Sequence, residues 1–187
     1  MSGQSSESDQ FSWVGGDFQS LPKSDGDVPL CGACRPTGLC RLGVRQEELT
    51  PEKILVSDIV CPADHEGGPN VAHGGWTAGV LDEILGHVPL HHDQLSVTAT
   101  LTVNFRKPVP VGRPLRARAW VDKIDGQKWY ISGELVLSAT DSVLATATGI
   151  WVARDAAHFS RHQKWLAEQD AAASAAGGNA AEAPSGD

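Results

Sequence analysis

A chain of 187 residues, 41% of them hydrophobic and 20% charged, has the size and composition of one globular domain with tails. No stretch approaches the ~18 apolar residues that span a bilayer. Residues 1–10 lack the basic-then-apolar pattern of a secretory signal, so a cytoplasmic protein with no membrane partner is expected. The net charge of −8 sits mainly at the ends: residues 1–30 carry five acids and one base, and residues 155–187 five acids and two bases. That balance argues against a nucleic-acid partner, which calls for clustered Lys and Arg.

In chain order, residues 1–30 read as an acidic arm, disordered in part, with Phe11, Trp13 and Phe18 as isolated aromatics. A single domain with a cysteine-containing extension is expected over 31–170. An irregular strand is predicted at about 53–61. A helix follows over about 73–87, apolar around most of its circumference and therefore deeply buried. Residues 95–106 alternate between apolar and polar side chains without interruption, the period of a half-buried strand. Pro108 and Pro110 end it. Further strands are predicted at about 114–124, 128–139 and 143–153, joined by turns at Asp125-Gly126 and Thr140-Asp141-Ser142. An amphipathic helix at about 156–169 closes the fold, and the Ala-, Gly- and Ser-rich residues 171–187 read as a disordered tail. The result is an α+β domain with a mainly antiparallel sheet of five to six strands wrapped around one long helix.

The predicted helix carries a carboxylate in an unusual setting. At helical spacing Asp82 shares its stripe with Gly75, Ala78, Gly79 and Gly86, and no basic residue lies three or four positions away. Small neighbours leave space beside it. A partly desolvated carboxylate next to a cavity is a candidate base or nucleophile, because desolvation raises its basicity. Glu83 is the rival acid, on the bulkier stripe with Trp76, Val80 and His87, where His87 can pair with it. The Gly-rich segment from Glu66 to Gly75 leads into the helix N-terminus, where unpaired N–H groups can receive a phosphate or a developing oxyanion. Arg106, Lys107, Arg113, Arg116 and Arg118 lie within thirteen residues free of acids, either a solvated strand face or a local anion site.

The segment 67–86, with His73-Gly74-Gly75 and Asp82 nine residues after His73, resembles the signature of hotdog-fold acyl-CoA thioesterases of the phenylacetate-degradation type. Residues 101–112 resemble the strand and turn that follow that family's central helix, and the similarity spans about 50–155. The resemblance implies a thioester hydrolase in which Asp82 is general base or nucleophile, the Gly74 N–H polarises the carbonyl, and His73 shapes the loop. It implies no cofactor. It also implies a homodimer or homotetramer with acyl-CoA bound between protomers. Gly75, Asn70, Trp76, Asn104, Arg106 and Lys107 are then candidate substrate contacts, with Arg113 a further candidate for CoA phosphates. Gly67 and Gly68 stand where relatives often carry a water-positioning polar residue, which leaves Asn70 as the substitute.

Rival readings are a non-catalytic hotdog module that binds acyl-CoA or serves as an oligomeric partner, a hotdog dehydratase, and a metal-binding regulator. The dehydratase needs a different Asp/His arrangement. Cys31-x2-Cys34 and Cys40 lack a second paired spacing, so reduced cysteines in a folded arm are expected and no metal site is assigned.

Overall fold

In the computed structural model, which describes residues 22–155 and 157–178, the described chain divides into two compact units, residues 22–154 and the segment that follows. The first unit holds strands β1 (Val44–Leu49), β2 (Leu55–Val60), β3 (Glu66–Gly68) and β4 (Val71–Ala72), helix α1 (Gly74–Leu90), and strands β5 (Ser96–Phe105), β6 (Pro114–Asp125), β7 (Lys128–Leu137) and β8 (Ser142–Ala153). Six of these strands form one antiparallel sheet in the order β1-β2-β6-β7-β8-β5. A hairpin of β3 and β4 stands apart from it.

The sheet curves around α1, whose Val80, Leu81, Ile84, Leu85 and Val88 are fully buried. Each such side chain contributes roughly 1.5–3 kcal/mol. Close approach is possible because the facing row across the sheet is built from small residues: Ala119, Gly133 and Ala147 pair in register on β6, β7 and β8. A Cβ on Gly133 would come within 2.7 Å of Leu85 and 2.8 Å of the Arg118 carbonyl, so only glycine lets the helix sit this deep.

The four strands from β5 to β8 and the strand at 55–60 follow the sequence reading to within two residues at each end. The sixth strand, β1, was not anticipated. A bulge between Val44 and Gln46 interrupts its alternation, and one of its buried positions is a glutamate. Helix α1 runs to Leu90, past the expected end at His87, and takes in Pro89. Proline has no N–H to give the carbonyl four residues back, and the helix ends one residue later at Leu90. At the end of the expected arm Val28 joins the core and Leu30 is buried, whereas Pro22, Lys23, Asp25 and Asp27 are exposed. The rest of the expected N-terminal arm, with Phe11, Trp13 and Phe18, lies outside the described residues.

In the second unit, α2 spans His158–Gly178. It extends beyond the predicted end near 169 into the segment expected to be disordered, where an alanine-rich run has high intrinsic helix propensity. Residues 179–187 lie outside the described residues. No described helix is long and apolar enough to cross a membrane.

Candidate active site

Helix α1 begins at a built cap. His73 adopts extended backbone (φ −60°, ψ 139°), and its Nδ1 accepts a hydrogen bond from the Gly75 N–H at 2.9 Å. Gly75 is required for this: a Cβ at that position would fall 2.8 Å from Nδ1. The His73 N–H donates to the His65 carbonyl at 2.8 Å, and the Thr77 N–H returns to the His73 carbonyl at 3.1 Å. With Gly75 satisfied by the cap, the Gly74 N–H is left exposed and without an acceptor among the described residues. It points along the positive end of the helix dipole, the physical requirement for receiving an oxyanion. The Phe105 ring lies about 3.8 Å from where a Gly74 Cβ would stand, and it is 59% exposed.

Asp82 is half-buried, and its Oδ1 accepts a hydrogen bond from the Thr98 hydroxyl at 2.9 Å. Burial raises its pKa above the ordinary aspartate value; the Thr98 bond opposes that shift, and the neighbouring Glu83 charge adds to it. Space is open along its stripe: nothing stands within 4 Å of where a Gly79 Cβ would be. Thr98 was missed at the sequence level for an identifiable reason. Unbroken alternation puts it on the outer face with Thr100 and Thr102. A bulge between Thr98 and Thr100 instead pairs Thr98 with the buried Trp151, turning its hydroxyl toward α1.

The remaining candidates are distributed unevenly. Asn70 is the left-handed residue (φ 58°) of the turn between β3 and β4. Its N–H donates to Glu66 Oε1 at 2.5 Å, and its carbonyl accepts from the Val111 N–H at 3.2 Å, so its backbone has a turn-forming role. Trp76 packs within the core cluster. It is 4% exposed, and its indole N–H donates to the Leu42 carbonyl at 3.2 Å, which makes it a core anchor for the first turn of α1. Asn104, Arg106 and Lys107 are exposed at the end of β5, flanking Phe105 beside the helix N-terminus. The backbone N–H groups of Arg106 and Lys107 both donate to the Leu144 carbonyl, which fixes the turn. Lys107 Nζ reaches the Ser142 hydroxyl at 3.5 Å.

The basic stretch divides in two. Arg116 pairs with Asp58 at 3.0 Å, and Arg118 pairs with Glu134 at 3.1 Å and Asp141 at 2.7 Å. Arg106 and Arg113 have no ion-pair partner among the described residues. All four cysteines are free, with Cys31 exposed and Cys34, Cys40 and Cys61 buried. Among the described residues no three His, Cys, Asp or Glu side chains are grouped to hold a metal ion.

A second polar cluster lies at the other end of α1, where Glu47 of β1 is completely buried. Its carboxylate accepts from the Ser57 hydroxyl at 3.2 Å, from His87 Nδ1 at 2.9 and 3.0 Å, and from His91 Nε2 at 3.2 Å. His87 Nε2 lies 3.4 Å from Glu83 Oε1. Pairing of His87 with Glu83 was legible from their spacing. Glu47, Ser57 and His91 were not, because they come from strands and a turn that no local pattern links to the helix.

Residues 69–143 match the sequence model of the thioesterase superfamily. The chain is 34% identical over 88 residues to the acyl-coenzyme A thioesterase THEM4 of Xenopus laevis, an alignment covering 46% of this chain and 39% of that protein. It is 30% identical over 87 residues to THEM5 of Mus musculus, covering 46% and 35%. The chain thus spans well under half the length of these curated relatives. In three dimensions it resembles the Escherichia coli PaaI protein of the phenylacetic acid degradation operon (21% identity, TM-score 0.50, 53% of this chain and 75% of that one). It also resembles the Streptococcus mutans protein smu.793, solved with acetyl-CoA (17% identity, TM-score 0.51, 55% and 82%). The sheet and the helix it encloses agree with these structures: the domain is a hotdog fold, and its residues 69–143 match the thioesterase superfamily model.

Proposed function

We propose that the domain hydrolyses acyl-CoA thioesters to the free acid and CoA, in a cytoplasmic setting. The observation that carries this reading is the pairing, on one helix, of an unsatisfied N-terminal N–H at Gly74 with a half-buried carboxylate at Asp82 beside open space. The Gly74 N–H stabilises the negative charge that grows on the thioester oxygen. His73 holds the cap that aims it. Asp82 either takes a proton from the attacking water or attacks the carbonyl carbon itself, and the thiolate of CoA leaves.

Gly74 and Asp82 are eight residues apart, about 12 Å of helix rise. An aspartate side chain leans back toward the N-terminus by only a few ångströms, so one chain cannot bring both groups to one carbonyl. This favours a site shared between two copies, Gly74 from one and Asp82 from the other. The edge strand β5 supports that arrangement: it has one bonded neighbour, β8, and an exposed Phe105 beside Gly74. A homodimer, alone or within a homotetramer, is therefore part of the proposal. In this reading Asn104, Arg106, Lys107 and Arg113 contact the polar and anionic parts of CoA.

The test is free-thiol release from short, long and aromatic acyl-CoAs by the wild type and Asp82→Ala. Hydrolysis that falls at least a hundredfold in a folded mutant supports the reading. A wild type inactive on every thioester moves the non-catalytic acyl-CoA-binding module to first place, and full activity in the mutant transfers the role to Glu83.

A further inference from the structure

Both ring nitrogens of His87 face carboxylates: Nδ1 the buried Glu47, and Nε2 the partly exposed Glu83. A neutral imidazole has one N–H and can donate to only one of them, so this geometry favours the imidazolium. His87 is buried, so its charge is screened little by solvent. Glu83 adjoins Asp82 in sequence and lies about 100° from it around the helix. Glu83 therefore links the buried cation to the candidate catalytic carboxylate.

We propose that His87, held by Glu47, is a positioning residue that offsets the charge of Glu83 and thereby keeps Asp82 ionised as the working carboxylate. The link to turnover rests on the hydrolase reading above, whereas the electrostatic coupling does not. The groups that reach His87 are Glu47 from β1 and Glu83 from its own helix. His91 and Ser57 bind the far side of Glu47. Asp82 meets Thr98 from β5. Strands β6, β7 and β8 turn apolar side chains to α1, and among the described residues no other ion-pair partner of His87 is found.

The coupling is measured by carbon-13 titration of the Asp82 carboxyl in the full chain, with the resonance assigned by Asp82→Asn, beside the pH profile of kcat/KM. His87→Gln raises the Asp82 midpoint by about half a unit or more, because the Glu83 charge is then unopposed. Glu83→Gln lowers it, and the double variant returns it close to the wild-type value. The acid limb of kcat/KM moves with each midpoint. A purely structural role lowers kcat at every pH and leaves the midpoints where they are; that result in folded His87→Gln overturns the proposal. If His87→Gln does not fold, Glu83→Gln decides alone, and an unchanged Asp82 midpoint overturns it. Shifted midpoints in a protein that hydrolyses no thioester uphold the coupling and reject the hydrolase reading.

Discussion

The two ends of α1 solve opposite problems. At the N-terminus His73, Gly74 and Gly75 are exposed, the Gly75 N–H is capped by a side chain and the Gly74 N–H before it is left unsatisfied. At the C-terminal end Glu47, Ser57, His87 and His91 bury two charges and give them hydrogen-bond partners. Unsatisfied donors at an exposed helix end cost little, because water fills them until a ligand does. An unpaired charge inside the sheet costs several kcal/mol, so nothing there is left open. An available donor thus marks a place for chemistry, and a complete network marks a place for rigidity.

The largest effect is expected from breaking the sealed end. Glu47→Ala leaves the buried His87 cation with only the partly exposed Glu83 for a partner and costs about 3–5 kcal/mol, read by urea denaturation. At the open side, Asp82→Asn lowers thiol release at least a hundredfold, about 2.7 kcal/mol of barrier. The same variant raises Tm at pH 7. The folded protein raises the pKa of Asp82, so ionisation there opposes folding above the ordinary aspartate range, and asparagine removes that opposition.

Next in size is Gly75→Val, whose Cβ must displace the His73 ring. Loss of the cap costs about 1 kcal/mol, and thiol release falls with it. A pH series separates the two ends further. Burial alone would raise the pKa of Glu47, but the His87 imidazolium holds it down at about 2. Burial would lower that of His87, but Glu47 and Glu83 push it up to about 10. The Glu47 contribution is complete above pH 4.5 and is lost as pH falls toward 2. The His87 contribution is complete below pH 6.5 and declines as pH rises toward 10. Stability from this pair therefore peaks between pH 4.5 and 6.5, and Glu47→Gln flattens the Tm profile on both sides. The smallest change is expected for Gly86→Ala: helix propensity gains up to about 1 kcal/mol, offset by a Cβ 3.2 Å from the Trp151 indole nitrogen. Its Tm should differ little from that of the wild type.

The open end was legible in the sequence because its signals are local. A histidine and two glycines before an apolar run announce a helix start, and the small residues around Asp82 sit at fixed helical spacing. The closed end was legible only through Glu83 and His87, four residues apart. Glu47 lies forty residues from His87, on a strand whose pattern is broken by a bulge and by its own buried charge. The bulge in β5 hid Thr98 in the same way: alternation counts residues, and one extra residue reverses every face before it. Trp76 shows a further limit. Its size suits a binding pocket as well as a core, and its bond to the Leu42 carbonyl, 34 residues away, has no local signal.

Strand β5 is bonded along one side only, and its last residue leans over the Gly74 donor. If a second copy completes that edge, the working unit is the pair. Specific activity then depends on chain concentration: on dilution below the dissociation constant it falls in proportion to the fraction still paired. A variant that weakens the edge loses its rate at low enzyme and regains it at high enzyme, without any change at the reacting atoms. Mixing inactive Asp82→Asn chains with inactive chains altered at the Gly74 donor would then restore turnover in the heterodimers, where one of the two sites is intact.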